Sequence, residues 1–171
     1  MPPGHHDLAP ATGNGWVDCA CGQRHWGRYG AAGLLLVSRA DQPSHHGEAA
    51  VLLQHRAQWT HEGGTWALPG GARAQDESAP AAALREAGEE AGLRPELVRI
   101  LDTTSTDHGP WSYTYVFATI EERPHLSPSD EETQDLAWVA LDRVADYPLH
   151  PLFALAWPDL RTRVEELLSR T

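Results

Sequence analysis

Short apolar runs, separated by polar stretches that contain proline or glycine, are the main pattern along most of the chain. Residues 33–38 and 49–55 are aliphatic almost throughout, which is typical of strands buried on both faces of a sheet. Residues 65–68 form a shorter run that stops at Pro69. Aromatic and aliphatic residues predict further strands at 97–102, 112–120 and 136–141.

Two other segments have the signals of helices. Residues 78–91 are rich in alanine and glutamate, start at Ser78 and are followed by Gly92, and both flanking residue types cap helices. An i, i+4, i+7, i+8 stripe near the C-terminus predicts a closing amphipathic helix; its members are Leu160, Val164, Leu167 and Leu168. Together these elements predict an α+β fold, an α/β/α sandwich in which helices flank a mixed sheet.

The same pattern predicts how the chain is organised. We expect residues 1–15, which are rich in Pro, Gly and His, to be a flexible N-terminal arm. Residues 16–171 are expected to form one domain that starts with a hairpin at 16–26, and residues 39–48 are expected to be a loop. Because no apolar run could span a bilayer and no signal segment opens the chain, the expected location is cytoplasmic.

Charge and composition narrow the chemistry. The formal net charge of −11 disfavours a nucleic acid polymer as partner, so a small molecule is expected, with no membrane. All 13 basic residues are arginine, which excludes P-loop NTPases and Schiff-base enzymes because both need a lysine. The sequence leaves open whether the chain is a monomer or a homodimer.

Carboxylates crowd one face of the predicted helix at 78–91. Residues three and four apart share a helix face, so Glu86 lies beside both Glu89 and Glu90. Three ionised carboxylates on one face repel each other unless a positive charge lies among them. Their oxygens suit Mg²⁺ or Mn²⁺, and Arg85 is placed to hold one of them. The alternative is a solvated, charged helix surface.

These charged residues belong to a longer pattern with fixed spacing. Its members, in order, are Gly71, Glu77, Arg85, Glu86, Glu89, Glu90, Gly92 and Leu93. The pattern resembles the Nudix box without a gap, and the flanking strands extend the resemblance over roughly residues 30–145. Many family members have a glycine just before the first glutamate of the box, where this chain has Asp76.

The resemblance implies a Nudix hydrolase with a divalent metal, Mg²⁺ or Mn²⁺, as cofactor. It implies that the metal is bound by three glutamates and one backbone carbonyl: Glu86, Glu89, Glu90 and Gly70. Those glutamates, together with Arg85, are the expected catalytic residues inside the box. Gly71 and Glu77 are expected to support the loop–helix–loop segment.

Outside the box, the resemblance points to three further residues. Arg56 is expected to contact substrate phosphate and Trp66 to contact the nucleotide, the alternatives being a surface arginine and ordinary aromatic packing. An acid from the loop before Trp138 is expected to activate water. That loop contains Asp130, Glu131 and Glu132, of which Glu132 is preferred, and the alternative is that all three are simply solvated.

The implied activity is a MutT-like pyrophosphohydrolase reaction on a nucleoside triphosphate or another nucleoside diphosphate derivative. One alternative is an ADP-ribose or sugar-nucleotide diphosphatase, because some members of that type have a proline near the position of Pro110. Another is a non-catalytic nucleotide-binding sensor with the same fold. Mutator-type enzymes commonly read the purine with a late asparagine, and because the sole asparagine is Asn14, a guanine contact here needs other groups.

The two cysteines form a separate candidate. Cys19, Cys21 and His25 are residue types that bind zinc, but the sequence offers neither an obvious fourth ligand nor a familiar spacing. The alternative is two hairpin cysteines and a surface histidine. The sequence leaves the choice open.

Overall fold

The computed structural model describes residues 11–39 and 48–171. The predicted loop at 39–48 and the first ten residues of the predicted arm therefore lie almost wholly outside the described residues. The elements are β1 (Trp16–Asp18), β2 (Arg24–Trp26), β3 (Ala31–Ser38), β4 (Ala50–Arg56), β5 (Trp66–Ala67), β6 (Gly70–Ala72), α1 (Ala79–Ala91), β7 (Val98–Asp107), β8 (Ser112–Ile120), β9 (Thr133–Ala140) and α2 (Pro151–Ser169).

A mixed sheet of seven strands forms the centre of the domain, as predicted. β3 pairs with β8 in parallel along its whole length, and β8 pairs with β7 in antiparallel fashion. On its other edge β3 pairs with β4 only at Val37 and Ser38, and with β6 at 31–33. β4 diverges from β3 to pair with β5 and β9. The segment 66–72 thus fills the gap that opens between β3 and β4.

Alternate residues of β3 point into two separate cores. Leu35 and Val37 pack on the α2 side with Phe153 and Trp157, whereas Leu34 packs on the α1 side. This alternation is what the geometry of a strand requires when both sheet faces are covered. Every residue of β3 is buried, which confirms the prediction drawn from its aliphatic run.

The closing helix is longer than its apolar stripe predicted. α2 starts at Pro151, about two and a half turns before Leu160, and contains Pro158 in its interior. Proline removes a helical hydrogen bond and usually ends a helix. Here Trp157 before Pro158 and Leu160 after it are buried and pack in the core, which holds the helix together through its proline.

Several strand bounds also differ from the sequence pattern. β7 runs on to Asp107, five residues beyond the predicted end at 102, because its polar residues pair with β8. The predicted strand at 65–68 shortens to β5, and β6, a strand that was not predicted, follows the break at Leu68 and Pro69. A proline cannot donate a ladder hydrogen bond, which explains the break.

The described end of the predicted N-terminal arm is hydrogen-bonded to the domain. The amide of Gln75 donates to the carbonyl of Ala11 at 3.1 Å, and that of Arg28 donates to the carbonyl of Gly13 at 2.8 Å. The division of the chain at residue 15 stays a prediction. Among the described residues, neither helix has the length and apolar composition that crossing a bilayer requires.

Gly33 leaves room for the Tyr113 ring beside β3. A Cβ atom at position 33 would lie 2.1 Å from the Tyr113 hydroxyl oxygen and 3.1 Å from its Cζ atom. We therefore expect Gly33→Ala to lower the free energy of unfolding by about 1–3 kcal/mol through overpacking. Urea titration followed by circular dichroism measures the change.

Two further variants test the cause of that destabilisation. Removing the hydroxyl with Tyr113→Phe should reduce the additional cost of Gly33→Ala, and equal costs in both backgrounds would contradict the assignment. Gly88→Ala is the matched control, because a Cβ there meets only the Leu93 carbonyl at 3.5 Å inside α1. Alanine in a helix interior should stabilise by about 0.5–1 kcal/mol relative to glycine.

Candidate active site

α1 brings its acidic face to the end of the sheet where β6 lies. The helix buries small side chains against the sheet, Ala83 and Ala87 among them, so the two elements can approach closely. The Ser78 hydroxyl accepts from the Ala81 amide at 3.2 Å, and Gly92 ends the helix with a left-handed φ of 68°. Both caps were predicted from the sequence, and they fix the register in which the glutamates meet β6.

Gly71 allows the Glu86 carboxylate to lie directly against β6. A Cβ atom at this position would be 2.6 Å from Cδ and 2.7 Å from Oε1 of Glu86. Real Cβ atoms do not approach so closely, so any larger residue here displaces the carboxylate. This contact gives a physical reason for glycine at the first position of the box.

Arg85 joins the glutamates of the box through several charged hydrogen bonds. Its Nε donates to Glu77 Oε1 at 2.8 Å, and its Nη2 donates to the other oxygen of Glu77 at 3.1 Å. Nη1 donates to Glu86 Oε1 at 2.9 Å and reaches Glu89 at 3.3 Å. Nη2 also donates to the carbonyl of Ala72 at 2.9 Å, which ties the helix to β6.

These contacts have opposite effects on the two partners' titration. The hydrogen bond from Arg85 lowers the pKa of Glu77, and the same bond raises the pKa of Arg85 above its usual value. The bidentate pair between Arg85 and Glu77 is therefore a fixed ion pair. The supporting role expected for Glu77 stays a prediction.

Glu86 and Glu90 form a crowded pair of carboxylates. Glu90 is only 4% exposed, and its Oε2 accepts from the Gly70 amide at 3.0 Å. Burial raises the pKa of Glu90, and repulsion from Glu86 raises it further. Burial likewise raises the pKa of Glu86, although Arg85 opposes the shift. Within the described residues, Arg85 reaches Glu86 but makes no ion pair with Glu90.

The loop before β9 is fastened to the end of α1. The Ser129 amide donates to the carbonyl of Glu90 at 2.9 Å, and its hydroxyl donates to the carbonyl of Glu89 at 2.7 Å. These bonds satisfy carbonyls that the helix itself leaves free. Further along the loop, the Glu132 carbonyl accepts from the Ala57 amide at 2.9 Å.

This fastening brings two of the three loop acids to the carboxylate pair. The charge of Glu132 raises the pKa of Glu86, and that of Asp130 raises the pKa of Glu90. Asp130 Oδ1 also accepts from the Thr133 amide at 3.0 Å. Glu131 and Glu132 are both exposed, and of these two only Glu132 is among the main charges that raise the pKa of Glu86. Glu132, the predicted base, is thus brought to the site, and Asp130 joins it.

Gln54 is a site neighbour that the sequence analysis missed. It is 1% exposed on β4, its Nε2 donates to Thr133 Oγ1 at 2.8 Å, and its side-chain hydrogen bond lowers the pKa of Glu90. A polar residue inside an aliphatic strand was the available signal. This signal was overlooked because residues 49–55 were interpreted together as one aliphatic strand.

The backbone conformation of Asp76, the one departure from the box pattern, shows how this position does without glycine. Its φ of 61° lies in the left-handed region, where glycine is favoured and aspartate is tolerated better than most residues. Around this turn, the Arg73 guanidinium donates to the Glu77 carbonyl at 2.7 and 3.0 Å, and Glu77 Oε2 accepts from the Ala74 amide at 2.8 Å. The turn is therefore closed without glycine.

Arg56 lies at the end of β4, where it is partly tied to the following loop. Its Nε and Nη2 donate to the carbonyl of His61 at 3.1 and 2.9 Å. The pKa of Tyr113 is raised chiefly by burial, and both Glu90 and Arg56 act on it electrostatically. The predicted contact of Arg56 with substrate phosphate stays a prediction.

Trp66 packs on the opposite side of the sheet from α1. Its ring stacks on His55 at 4.5 Å between centroids and meets Tyr147 edge-on at 5.2 Å. It joins the core cluster that α2 covers. No described contact joins Trp66 to the glutamates of the box, so its role toward a nucleotide stays a prediction.

Comparison with known proteins identifies this arrangement. The NUDIX domain family profile matches residues 28–158, more than half of the chain. The chain belongs to the Nudix family. A Mycobacterium tuberculosis protein, provisionally named 8-oxo-dGTP diphosphatase 3, is 48% identical over 167 residues, which cover 94% of this chain and 75% of that protein.

Two other similar proteins support the assignment to the Nudix family. A Bifidobacterium longum nucleoside triphosphate pyrophosphatase/Nudix hydrolase fusion protein is 43% identical over 92% of this chain, which spans only 33% of the fusion. The crystal structure of RenU, a Nudix hydrolase from M. smegmatis, is 48% identical, has a TM-score of 0.82 and is covered to 96% by 90% of this chain. These matches confirm the predicted family, the mixed-sheet fold and, at the level of the family, the Nudix-type pyrophosphohydrolase class.

The hydrogen bonds of Arg85 to Glu77, Glu86 and the Ala72 carbonyl, called the Arg85 fork below, can be tested for their contribution to stability. Arg85→Lys keeps the positive charge but cannot contact Glu77, Glu86 and the Ala72 carbonyl together. We expect it to lower the free energy of unfolding by about 1–2 kcal/mol, since the lost bonds involve charged groups that are partly screened by solvent. Urea titration at constant m-value measures this loss.

Arg161→Lys is the matched control for that variant. Arg161 pairs with Glu165 at 2.9 Å on α2, and both side chains are exposed. Its change should cost less than about 0.5 kcal/mol. Equal costs for the two variants would show that the geometry of the Arg85 fork adds nothing to stability.

Proposed function

We propose that this chain is a Mg²⁺- or Mn²⁺-dependent pyrophosphohydrolase that cleaves the diphosphate linkage of a nucleoside triphosphate. The observation that carries the proposal is the Glu86–Glu90 pair beside β6, in which Glu90 is buried and Glu86 is partly buried. Glu90 is held there by the Gly70 amide, while Arg85 is committed to Glu77, Glu86 and the Ala72 carbonyl.

The donor set fits a hard divalent cation. Arg85 supplies one positive charge beside Glu77, Glu86 and Glu89, and its bidentate bonds neutralise Glu77 first. Glu86 and Glu90 thus present carboxylate oxygens with little positive compensation, and the acids Asp130 and Glu132 lie near them. Oxygen ligands of this kind suit Mg²⁺ or Mn²⁺, whereas a bare diphosphate would be repelled.

The protein residues divide the work in this proposal. Glu86, Glu89, Glu90 and the Gly70 carbonyl would hold the metal, and Arg85 and Glu77 would fix their positions. A bound divalent ion supplies neutralisation of the diphosphate and a lower pKa for the attacking water. Glu132 would accept the proton of that water. Arg56 retains N–H donors beyond those bound to the His61 carbonyl, so it remains available to substrate phosphate.

The choice of a nucleoside triphosphate is supported by the relatives named above. One is named as an 8-oxo-dGTP diphosphatase and covers most of the chain. Pro110, the residue behind the ADP-ribose alternative, lies in the turn between β7 and β8 beside His108, where no described contact links it to the glutamates. The sensor alternative gives no reason for a buried Glu90 carboxylate that has no ion pair among the described residues and lies beside Glu86.

Glu90→Gln tests the metal assignment. It removes a charged ligand but keeps an oxygen that can accept from the Gly70 amide. We expect turnover to fall by about 100-fold or more, because even changes outside the ligand set cost 10–100-fold. Pyrophosphate release from a panel of nucleotides that includes 8-oxo-dGTP, with millimolar Mg²⁺, measures the rate.

Measuring the thermal stability of Glu90→Gln shows whether the variant has lost metal binding or has lost its fold. The variant should be at least as stable as the wild type without metal, because it relieves repulsion between Glu86 and Glu90. Millimolar Mg²⁺ should raise the Tm of the wild type and raise it less in Glu90→Gln, since only a folded-state ligand shifts the transition. Glu165→Gln on α2 is the control and should keep both activity and response. Normal Mg²⁺-dependent turnover in Glu90→Gln would contradict the proposal.

Three loop variants identify the base. Glu132→Gln should lower kcat by about 100-fold or more with little change in KM, because proton transfer is lost and binding is not. Glu131→Gln, which has the same change one residue away, should be close to wild type. Asp130→Asn keeps the oxygen that accepts from the Thr133 amide and removes the charge beside Glu90.

The dependence of kcat on pH is a second way to identify the general base. Loss of the acidic limb in Glu132→Gln alone supports Glu132 as base. If Asp130→Asn is crippled while Glu132→Gln remains active, the base is Asp130. Should all three remain active, water activation depends on the metal and the box glutamates alone.

A further inference from the structure

Four metal-binding side chains meet where the β1–β2 hairpin lies against the β7–β8 turn. Cys19 and Cys21 lie in the turn after β1, His25 lies on β2, and His108 follows β7. One ligand atom from each residue can be chosen so that all four lie within 4.8 Å of one another. The fourth ligand that the sequence could not supply is thus His108, which is 83 residues away from His25.

The fold holds this group together through backbone and ring contacts. The hairpin turn is closed by the Gly22 amide donating to the Cys19 carbonyl and the Cys19 amide donating to the Gln23 carbonyl, each at 3.0 Å. The other turn is closed by the His108 amide donating to the Trp111 carbonyl at 2.8 Å. The cysteines and His108 therefore sit on two rigid turns that face each other.

His25 is buried, not a surface histidine as the alternative supposed. It is 7% exposed, and its ring stacks on Trp111 with centroids 4.0 Å apart and an angle of 11° between the planes. The Trp111 indole donates to the Trp26 carbonyl at 3.2 Å, which fixes the hairpin to the main sheet. The His25 ring therefore has one orientation, with Nε2 toward the other ligands.

Two distances between ligand atoms are close to those of a tetrahedral metal centre. His25 Nε2 lies 3.2 Å from Cys21 Sγ and 3.3 Å from His108 Nδ1. Zinc bonds of about 2.3 Å to sulfur and 2.0–2.1 Å to nitrogen give tetrahedral edges of about 3.6 Å for N–S and 3.3 Å for N–N. Cys19 Sγ lies 3.5 Å from the His108 carbonyl oxygen, on the same side of the turn.

We infer that Cys19, Cys21, His25 and His108 bind one structural Zn²⁺ that fastens the β1–β2 hairpin to the β7–β8 turn. Binding releases one proton from each thiol, and the two thiolates then balance the charge of the metal. Two sulfur and two nitrogen ligands favour zinc over Mg²⁺, which prefers the oxygen ligands of the carboxylate cluster. Four protein ligands leave no open position, so the site is structural and not catalytic.

Metal content and cobalt spectroscopy test this inference without any measurement of activity. Purified protein should contain about one zinc per chain after dialysis against a weak chelator. Replacing zinc with Co²⁺ should give the strong visible bands of a tetrahedral ion and near-ultraviolet sulfur-to-cobalt charge transfer. Co²⁺ at the carboxylate cluster gives no sulfur-to-cobalt charge transfer, because its ligands are oxygens, so this band identifies the cysteine site.

Ligand variants decide which residues are responsible. Cys21→Ser should halve the charge-transfer absorption and weaken zinc binding more than tenfold, and His108→Gln should weaken it comparably while keeping both thiolates. His125→Gln, an exposed histidine in the loop before β9, is the matched control and should keep full zinc content. Glu90→Gln should also keep it, so the result is independent of the proposed hydrolase activity.

The inference fails if folded wild-type protein binds neither zinc nor tetrahedral Co²⁺. It also fails if Cys21→Ser gives the wild-type cobalt spectrum, or if the cysteines of metal-free protein are found as a Cys19–Cys21 disulfide that blocks zinc uptake. Because the first test uses the wild type alone, instability of a variant cannot hide the outcome.

Discussion

Repulsion among carboxylates is the constraint on which the Nudix segment depends. The helix α1 carries Glu86, Glu89 and Glu90 near one end of the sheet, and Glu77 lies in the turn before it. Without compensation these charges would destabilise the helix and the turn before it. The Arg85 guanidinium contacts three of them and the Ala72 carbonyl, so the same side chain that reduces the repulsion also attaches the helix to the strand.

The divergence of β3 and β4 provides the place where this attachment occurs. β6 enters the gap between these strands and pairs with β3, and at Gly70 and Gly71 it has no side chain that would keep the glutamates away. Gly71 admits the Glu86 carboxylate, and the Gly70 amide binds Glu90. A buried carboxylate is costly unless it is hydrogen-bonded, and here a strand backbone supplies that bond.

Local signals in the sequence predicted the parts of the site that local geometry determines. Ser78 and Gly92 bound α1 because capping depends only on neighbouring residues, and the facing of Glu86 toward Glu90 follows from helical spacing. Gln54 and His108 were missed because their roles depend on strand pairing between distant segments. The first half of α2 was missed since Pro158 opposes a helix locally, and burial of Phe153 and Trp157 in the tertiary core overrides it.

Asp130 and Glu132, the two acids near the carboxylate pair, lie on backbone that is hydrogen-bonded to different parts of the molecule. Asp130 follows Ser129, which is bonded to the last carbonyls of α1, whereas the Glu132 backbone is bonded to Ala57 at the end of β4. A small displacement of the helix relative to the sheet therefore carries Asp130 along with Glu90 but changes the separation of Glu132 from Glu86. The distance between the sheet and α1 thus sets how closely Glu132 approaches Glu86, and it leaves the position of Asp130 relative to Glu90 unchanged.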